Sequence, residues 1–159
     1  MESDLRETVL IGGPEKREIV IVAYDFSWPE KFEEHARKIR GALGEKAISI
    51  EHVGSTSVPE LAAKPIIDID LVVEDSSDEP SYLPALEAAG YVLRVREPDW
   101  HEHRMMRTPE LDVHIHIFSP DAPELERHLR FRDRLRKIWM IDFFMNPRNA
   151  SWPPGHGMI

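Results

Sequence analysis

The sequence predicts an α/β (α+β) domain, a mixed β-sheet flanked by helices. Amphipathic helical stretches alternate with short β-branched runs over most of the chain. The later runs are joined by tight turns, as antiparallel neighbours are. The 159 residues, 42% hydrophobic and 31% charged, suffice for one ordinary core. We therefore expect a flexible N-terminal arm at 1–17, a domain at 18–137 and an atypical apolar C-terminal tail at 138–159.

Residues 1–17 are polar and broken by Gly12-Gly13-Pro14, the pattern of a loosely attached arm. Residues 19–24 are β-branched and predict a strand at a sheet edge. Ser27-Trp28-Pro29-Glu30 has the form of a capping box, with Ser27 as N-cap and Glu30 three residues on. Phe32, Ala36, Ile39 and Leu43 then share one helical face, and Gly44 ends the helix. Residues 48–53 form the strand that leads into Gly54-Ser55, and a second strand carries Asp68 and Asp70. Residues 74–80 are an acidic linker. Leu83, Leu86 and Ala89 predict a short helix closed by Gly90. Residues 91–96, 103–107 and 111–118 read as three strands, with a Pro98-Asp99 loop and a Thr108-Pro109-Glu110 turn between them. A last helix begins near Pro120 to Pro123 and carries Leu125, His128, Leu129 and Leu135. From Ile138 the chain turns apolar and runs into Trp152-Pro153-Pro154-Gly155, which cannot continue a helix. That tail is read as a segment docked on the domain, as a contact that makes a homo-oligomer, or as an altered reading frame.

A formal charge of −9 argues against a broad nucleic-acid-binding surface and favours a small acceptor. Only a local basic patch would leave nucleic acid open. With no cysteine, disulfides, thiolate nucleophiles and zinc–thiolate sites are ruled out. No apolar run reaches membrane-spanning length, and the first residues lack the basic and apolar regions of a signal peptide. The expectation is a cytoplasmic protein without a membrane partner.

Chemistry concentrates in two stretches, His52-Val53-Gly54-Ser55-Thr56-Ser57 and Lys64-Pro65-Ile66-Ile67-Asp68-Ile69-Asp70. Residues two apart on a strand point to one face, so Asp68 and Asp70 project together while Ile67, Ile69 and Leu71 face the core. Two carboxylates on a buried strand repel and are costly to desolvate, and a divalent cation removes that cost. Mg²⁺ is commonly held by one or two carboxylates together with substrate phosphates. Gly54 lets backbone approach a phosphate, and Ser55, Thr56 and Ser57 offer hydroxyl donors. Thr56 or Ser57 could instead cap a short helix through residues 58–63. Lys64 is either a phosphate contact or a solvated charge before Pro65.

Gly-Ser, a spacer of about a dozen residues and Asp-x-Asp within an apolar strand resemble the signature of the DNA polymerase β-like nucleotidyltransferase superfamily. The longer run from His52 to Asp70 resembles more narrowly the GrpB family, a branch of that fold. Asp99-Trp100-His101-Glu102-His103-Arg104, Asp112-Val113-His114-Ile115-His116-Ile117-Phe118 and Leu129-Arg130-Phe131-Arg132-Asp133 are similar to it as well. The resemblance covers about residues 19–136 and implies a nucleotidyltransferase-like sheet. It further implies two Mg²⁺ ions on Asp68 and Asp70, a nucleoside triphosphate donor, and transfer of its nucleotidyl group to an unknown small acceptor. It also implies a third carboxylate on a neighbouring strand, for which Asp112 is the candidate, sharing a face with His114 and His116. One of those histidines could take the third position instead, as base or metal ligand. The polar, helical terminus of the family is not matched by the tail from Ile138.

Two other functions stay open on these residues. One is a non-catalytic nucleotide-binding or regulatory module of the same fold. The other is a zinc hydrolase in which the His-x-His pairs His101/His103 and His114/His116 converge on one ion, with His52 as a further secondary candidate. Arg127, Arg130, Arg132 and Arg134 either meet phosphates, Arg130 foremost, or form a solvated face paired with Glu124 and Glu126.

Overall fold

The computed structural model describes residues 9–15 and 20–145, with side chains described for 10–15 and 20–138. Its elements follow in the order β1 (Val9–Leu10), α1 (Trp28–Leu43), β2 (Ser49–Val53), β3 (Ile67–Val72), α2 (Leu83–Ala88), β4 (Val92–Glu97), β5 (His103–Arg107), β6 (Val113–Phe118) and α3 (Pro123–Met145). The strands form one sheet, ordered β1-β4-β5-β6-β3-β2. β3 and β6 run parallel, and every other neighbouring pair is antiparallel. The chain therefore leaves β3 through α2, lays down β4 and β5 at a distance, and returns with β6 beside β3. The mixed α/β sheet flanked by helices is the predicted class.

The alternation of side chains along the strands divides the sheet into two unlike faces. Ile67, Ile69 and Leu71 of β3 and Val113, Ile115 and Ile117 of β6 are all fully buried on one face. They pack with Ile39 and Leu43 of α1 and Leu86 of α2 in a single apolar cluster. Each such side chain contributes about 1.5–3 kcal/mol by leaving water. The other face carries Asp68, Asp70, His114 and His116. The parallel register sets Asp68 beside His114 and Asp70 beside His116.

Several elements differ from expectation. Ser27 does not cap α1: its backbone is already helical (φ −86°, ψ −6°) and makes no capping hydrogen bond. The Asp25 carboxylate instead accepts from both the amide and the hydroxyl of Ser27, at 2.8 and 2.7 Å. An ionised carboxylate is a stronger acceptor than a hydroxyl, so Asp25 organises the turn. The strand expected at 19–24 reduces, among the described residues, to one bridge in which Val22 and Ala63 exchange both backbone bonds. The partner segment is cut short by Pro65, which has no N–H to offer. In the N-terminal arm, Val9–Leu10 pairs with β4 at the sheet edge. Residues 58–63 form no helix: Ser55–Ser57 is a single 3-10 turn, and the Thr56 and Ser57 hydroxyls bond to Ile66 O and Gly54 O. The α3 backbone runs to Met145, and the rest of the tail lies outside the described residues.

Candidate functional site

The site forms where β2 ends beside β3. Antiparallel pairing sets Val53 opposite Asp68, and this brings the next residue, Gly54, onto the aspartate. A Cβ at Gly54 would stand 2.6 Å from Asp68 Oδ2, and its φ of +77° is one that L side chains rarely adopt. Glycine is required there on both counts. The turn is held from beneath. Ser57 Oγ donates to Gly54 O at 2.5 Å, and Thr56 Oγ1 donates to Ile66 O at 3.2 Å. Ser57 and Thr56 are buried and so act on the turn itself, whereas Ser55 is exposed. With Lys64, Ile66, Asp68 and His114, Ser55 and Thr56 line a small cavity of about 90 Å³.

His52 lies under the turn on the core side, stacked on Phe32 with ring centroids 4.9 Å apart. Burial above all, and then Arg136, pushes its imidazole down to about 4. The neutral ring meets Thr56 Oγ1 at 3.0 Å. Since that hydroxyl donates onward to Ile66, it accepts from His52 Nε2–H. His52 thus positions the turn and does not face the carboxylates.

Asp68 and Asp70 both lie on the polar face, in unlike settings. Asp68 Oδ1 stands 3.3 Å from His116 Nε2 and 3.8 Å from His114 Nδ1. These residues form a group whose ligand atoms all lie within 4.8 Å of one another, close enough for one metal ion. Asp70 is buried, and His128 Nδ1 of α3 meets its Oδ2 at 2.7 Å. The hydrogen bond to Asp70 holds the His128 imidazole above its ordinary value, against the effect of burial. Asp70 Oδ1 has no hydrogen-bond partner among the described residues.

Other expected residues lie elsewhere. Asp112 sits just before β6, paired with Lys31 of α1 at 2.5 Å and accepting from Thr108 Oγ1 at 2.5 Å. Burial raises its carboxyl, but those two bonds outweigh this and hold it low. It is absent from the group around Asp68, where His114 and His116 stand instead. His101 is in the β4–β5 turn with a positive φ, 3.8 Å from Glu124, and the two His-x-His pairs do not converge. His103 does reach the site, its Nε2 lying 3.2 Å from His116 Nδ1. Arg130 projects from the outer side of α3, three-quarters exposed and paired with Glu126.

Sequence reasoning named His128 and Arg132 of α3 without placing them against the sheet, and missed Arg136. Glu124, His128, Arg132 and Arg136 recur every four positions, a polar stripe on one helical face. That stripe faces the sheet. Arg132 Nη1 donates to Glu51 Oε1 and to His52 O, at 3.0 and 3.1 Å, and Arg136 Nε donates to Ser57 O at 2.9 Å. Its spacing was legible; the assumption that charges on a helix face water hid it.

Residues 18–139 match the family model described as GrpB protein. The UPF0157 protein BH1888 of Halalkalibacterium halodurans is 55% identical over 123 residues, 77% of this chain and 63% of the relative. The UPF0157 protein SCO7215 of Streptomyces coelicolor is 50% identical over 133 residues, 84% of this chain and 69% of that one. The chain thus spans a little under two thirds of the first of these relatives. The crystal structure of conserved protein GrpB from Enterococcus faecalis superposes with a TM-score of 0.65 at 32% identity, covering 83% of this chain and 82% of that one. By the family match over most of its length and by these relatives, the chain belongs to the GrpB family.

Proposed function

We propose that this chain transfers a nucleotidyl group from a nucleoside triphosphate to a small acceptor, with Mg²⁺ held by Asp68 and Asp70. The observation that carries this reading is the contact between Gly54 and Asp68, which makes the phosphate-turn candidate and the carboxylates one site. The residues fit a cation. A buried carboxylate oxygen without a donor costs about 1–3 kcal/mol, and Asp70 Oδ1 is such an atom. When bound, the cation neutralises phosphate charge and polarises the acceptor oxygen.

The chain's own residues supply the rest. The cavity beside Ser55 and Lys64 takes about three waters at roughly 30 Å³ each, so only a ligand's small charged end enters while its bulk lies across the open face. Lys64 offsets phosphate charge at that mouth. The larger groove lined by Glu45, Lys46, Glu74, Asp75 and Asp78 is net acidic and disfavours phosphates. His114 or His116 is the base for the acceptor hydroxyl, since Asp112 is engaged with Lys31. That diversion also favours a second reading, a module that binds nucleotide without turnover.

Calorimetric titration of ATP, GTP, CTP and UTP, with and without Mg²⁺, tests both readings on the parent and on Asp68→Asn/Asp70→Asn. Binding of one nucleotide that needs the metal and both aspartates is expected, and release of pyrophosphate on adding acceptor pools separates transfer from binding alone. If none of the four binds, nucleotide is not the ligand.

A further inference from the structure

The donors around Asp68 are not those that Mg²⁺ prefers. Mg²⁺ takes oxygen ligands, whereas imidazole suits zinc and the other first-row transition ions. We propose that the resident cation is a first-row transition ion held by Asp68, His114 and His116, with Glu97 and His103 as an outer relay that aims His116. This deepens the preceding section, resting on its assignment of Asp68 to a cation site and changing the ion and its ligands.

The relay follows from which atoms can donate. Glu97 Oε1 and His103 Nδ1 are 2.7 Å apart, and a carboxylate only accepts. His103 Nδ1 therefore carries a proton. His103 is buried, and its Nε2 lies 3.2 Å from His116 Nδ1. The chain from Glu97 through His103 thus fixes the His116 ring by its Nδ1 side. So fixed, His116 presents Nε2 to Asp68 Oδ1, 3.3 Å away. Two ligands each about 2.0–2.1 Å from one metal ion stand roughly 3.0–3.4 Å apart. A histidine ligand whose other nitrogen is fixed by a second partner is the usual outer-shell arrangement of such sites.

A second, independent observation points the same way. Among the described residues, Asp70 Oδ1 is buried without a hydrogen-bond partner on the same strand face, in register with His116. His128 secures the other carboxylate oxygen, which leaves Oδ1 as the unmatched charge on that face.

The test is metal binding without nucleotide, by calorimetry of MnCl₂, ZnCl₂ and MgCl₂ into the full chain and into His116→Ala, His114→Ala and Glu97→Gln. Thermal melts establish that each variant is folded. We expect one Mn²⁺ or Zn²⁺ per chain, bound at least about 100-fold tighter than Mg²⁺. Each histidine variant should lose that preference, and Glu97→Gln should weaken it by about 10–100-fold. Nitrogen-15 NMR of the imidazoles should show the His114 and His116 signals shifted on adding ZnCl₂ at one equivalent. Mg²⁺ bound as tightly as Mn²⁺, histidine variants without effect, or His114 and His116 signals unmoved by ZnCl₂ would each overturn the proposal. The two proposals fail separately. Transition-ion binding that needs the histidines, with no nucleotide bound, sinks the preceding section alone. Mg²⁺-dependent nucleotide binding indifferent to His114 and His116 sinks this one alone.

Discussion

The two faces of the sheet use the same strands for opposite purposes. On one, Ile67, Ile69 and Leu71 meet α1 and α2 through hydrocarbon alone. On the other, Asp70 and Glu51 meet α3 through the imidazole of His128 and the guanidinium of Arg132. A shift of one residue along β3 exchanges a side chain that drives folding for one that opposes it. The aspartates persist there at a cost in desolvation, which marks that face as the one reserved for ligand.

The contrast can be broken from either side. Ile69→Ala should have the largest effect, destabilising by about 2–5 kcal/mol in urea unfolding while the folded fraction binds ligand as the parent does. His52 tests the boundary between the faces. Its folded value of about 4 lies below the free value of 6.5, so its contribution is fully present above 6.5 and drains away as the pH falls toward 4. Between pH 7.5 and 4.5 the parent should lose about 2–3 kcal/mol more stability than His52→Gln, and equal losses would refute this account. Gly54→Ala should cost about 1–3 kcal/mol through its positive φ, and should also abolish metal binding by displacing the Asp68 carboxylate. The smallest effect belongs to Asp68→Asn. It should change stability by about 0.5 kcal/mol or less, with either sign, and still remove metal-dependent nucleotide binding. A large stability loss there would mean that Asp68 serves the fold.

Strand alternation made β3 and β6 legible, and with them the shared face of the aspartates and histidines. The Gly-Ser turn was legible because glycine beside an Asp-x-Asp strand has few other uses. What escaped was tertiary. Nothing local in Asp112 announces that Lys31, on a helix far earlier in the chain, will take its carboxylate. Ser27 followed by Glu30 satisfies a capping rule, yet Asp25, two residues earlier, outcompetes the hydroxyl. The α3 stripe was misjudged for a related reason: a basic helix face signals solvent unless the surface opposite is known to be acidic, and that surface is assembled from β2 and β3.

Among the described residues, every member of the apolar cluster, the last being Ile117, precedes α3 in the chain. The described part of the helix is fastened instead by hydrogen bonds to Asp70, Glu51, His52 and Ser57. A seam held in this way opens at a lower free energy than global unfolding. In amide exchange, α3 should open while β3 and β6 stay protected, and an occupant gripped from both sides of that seam would slow the opening.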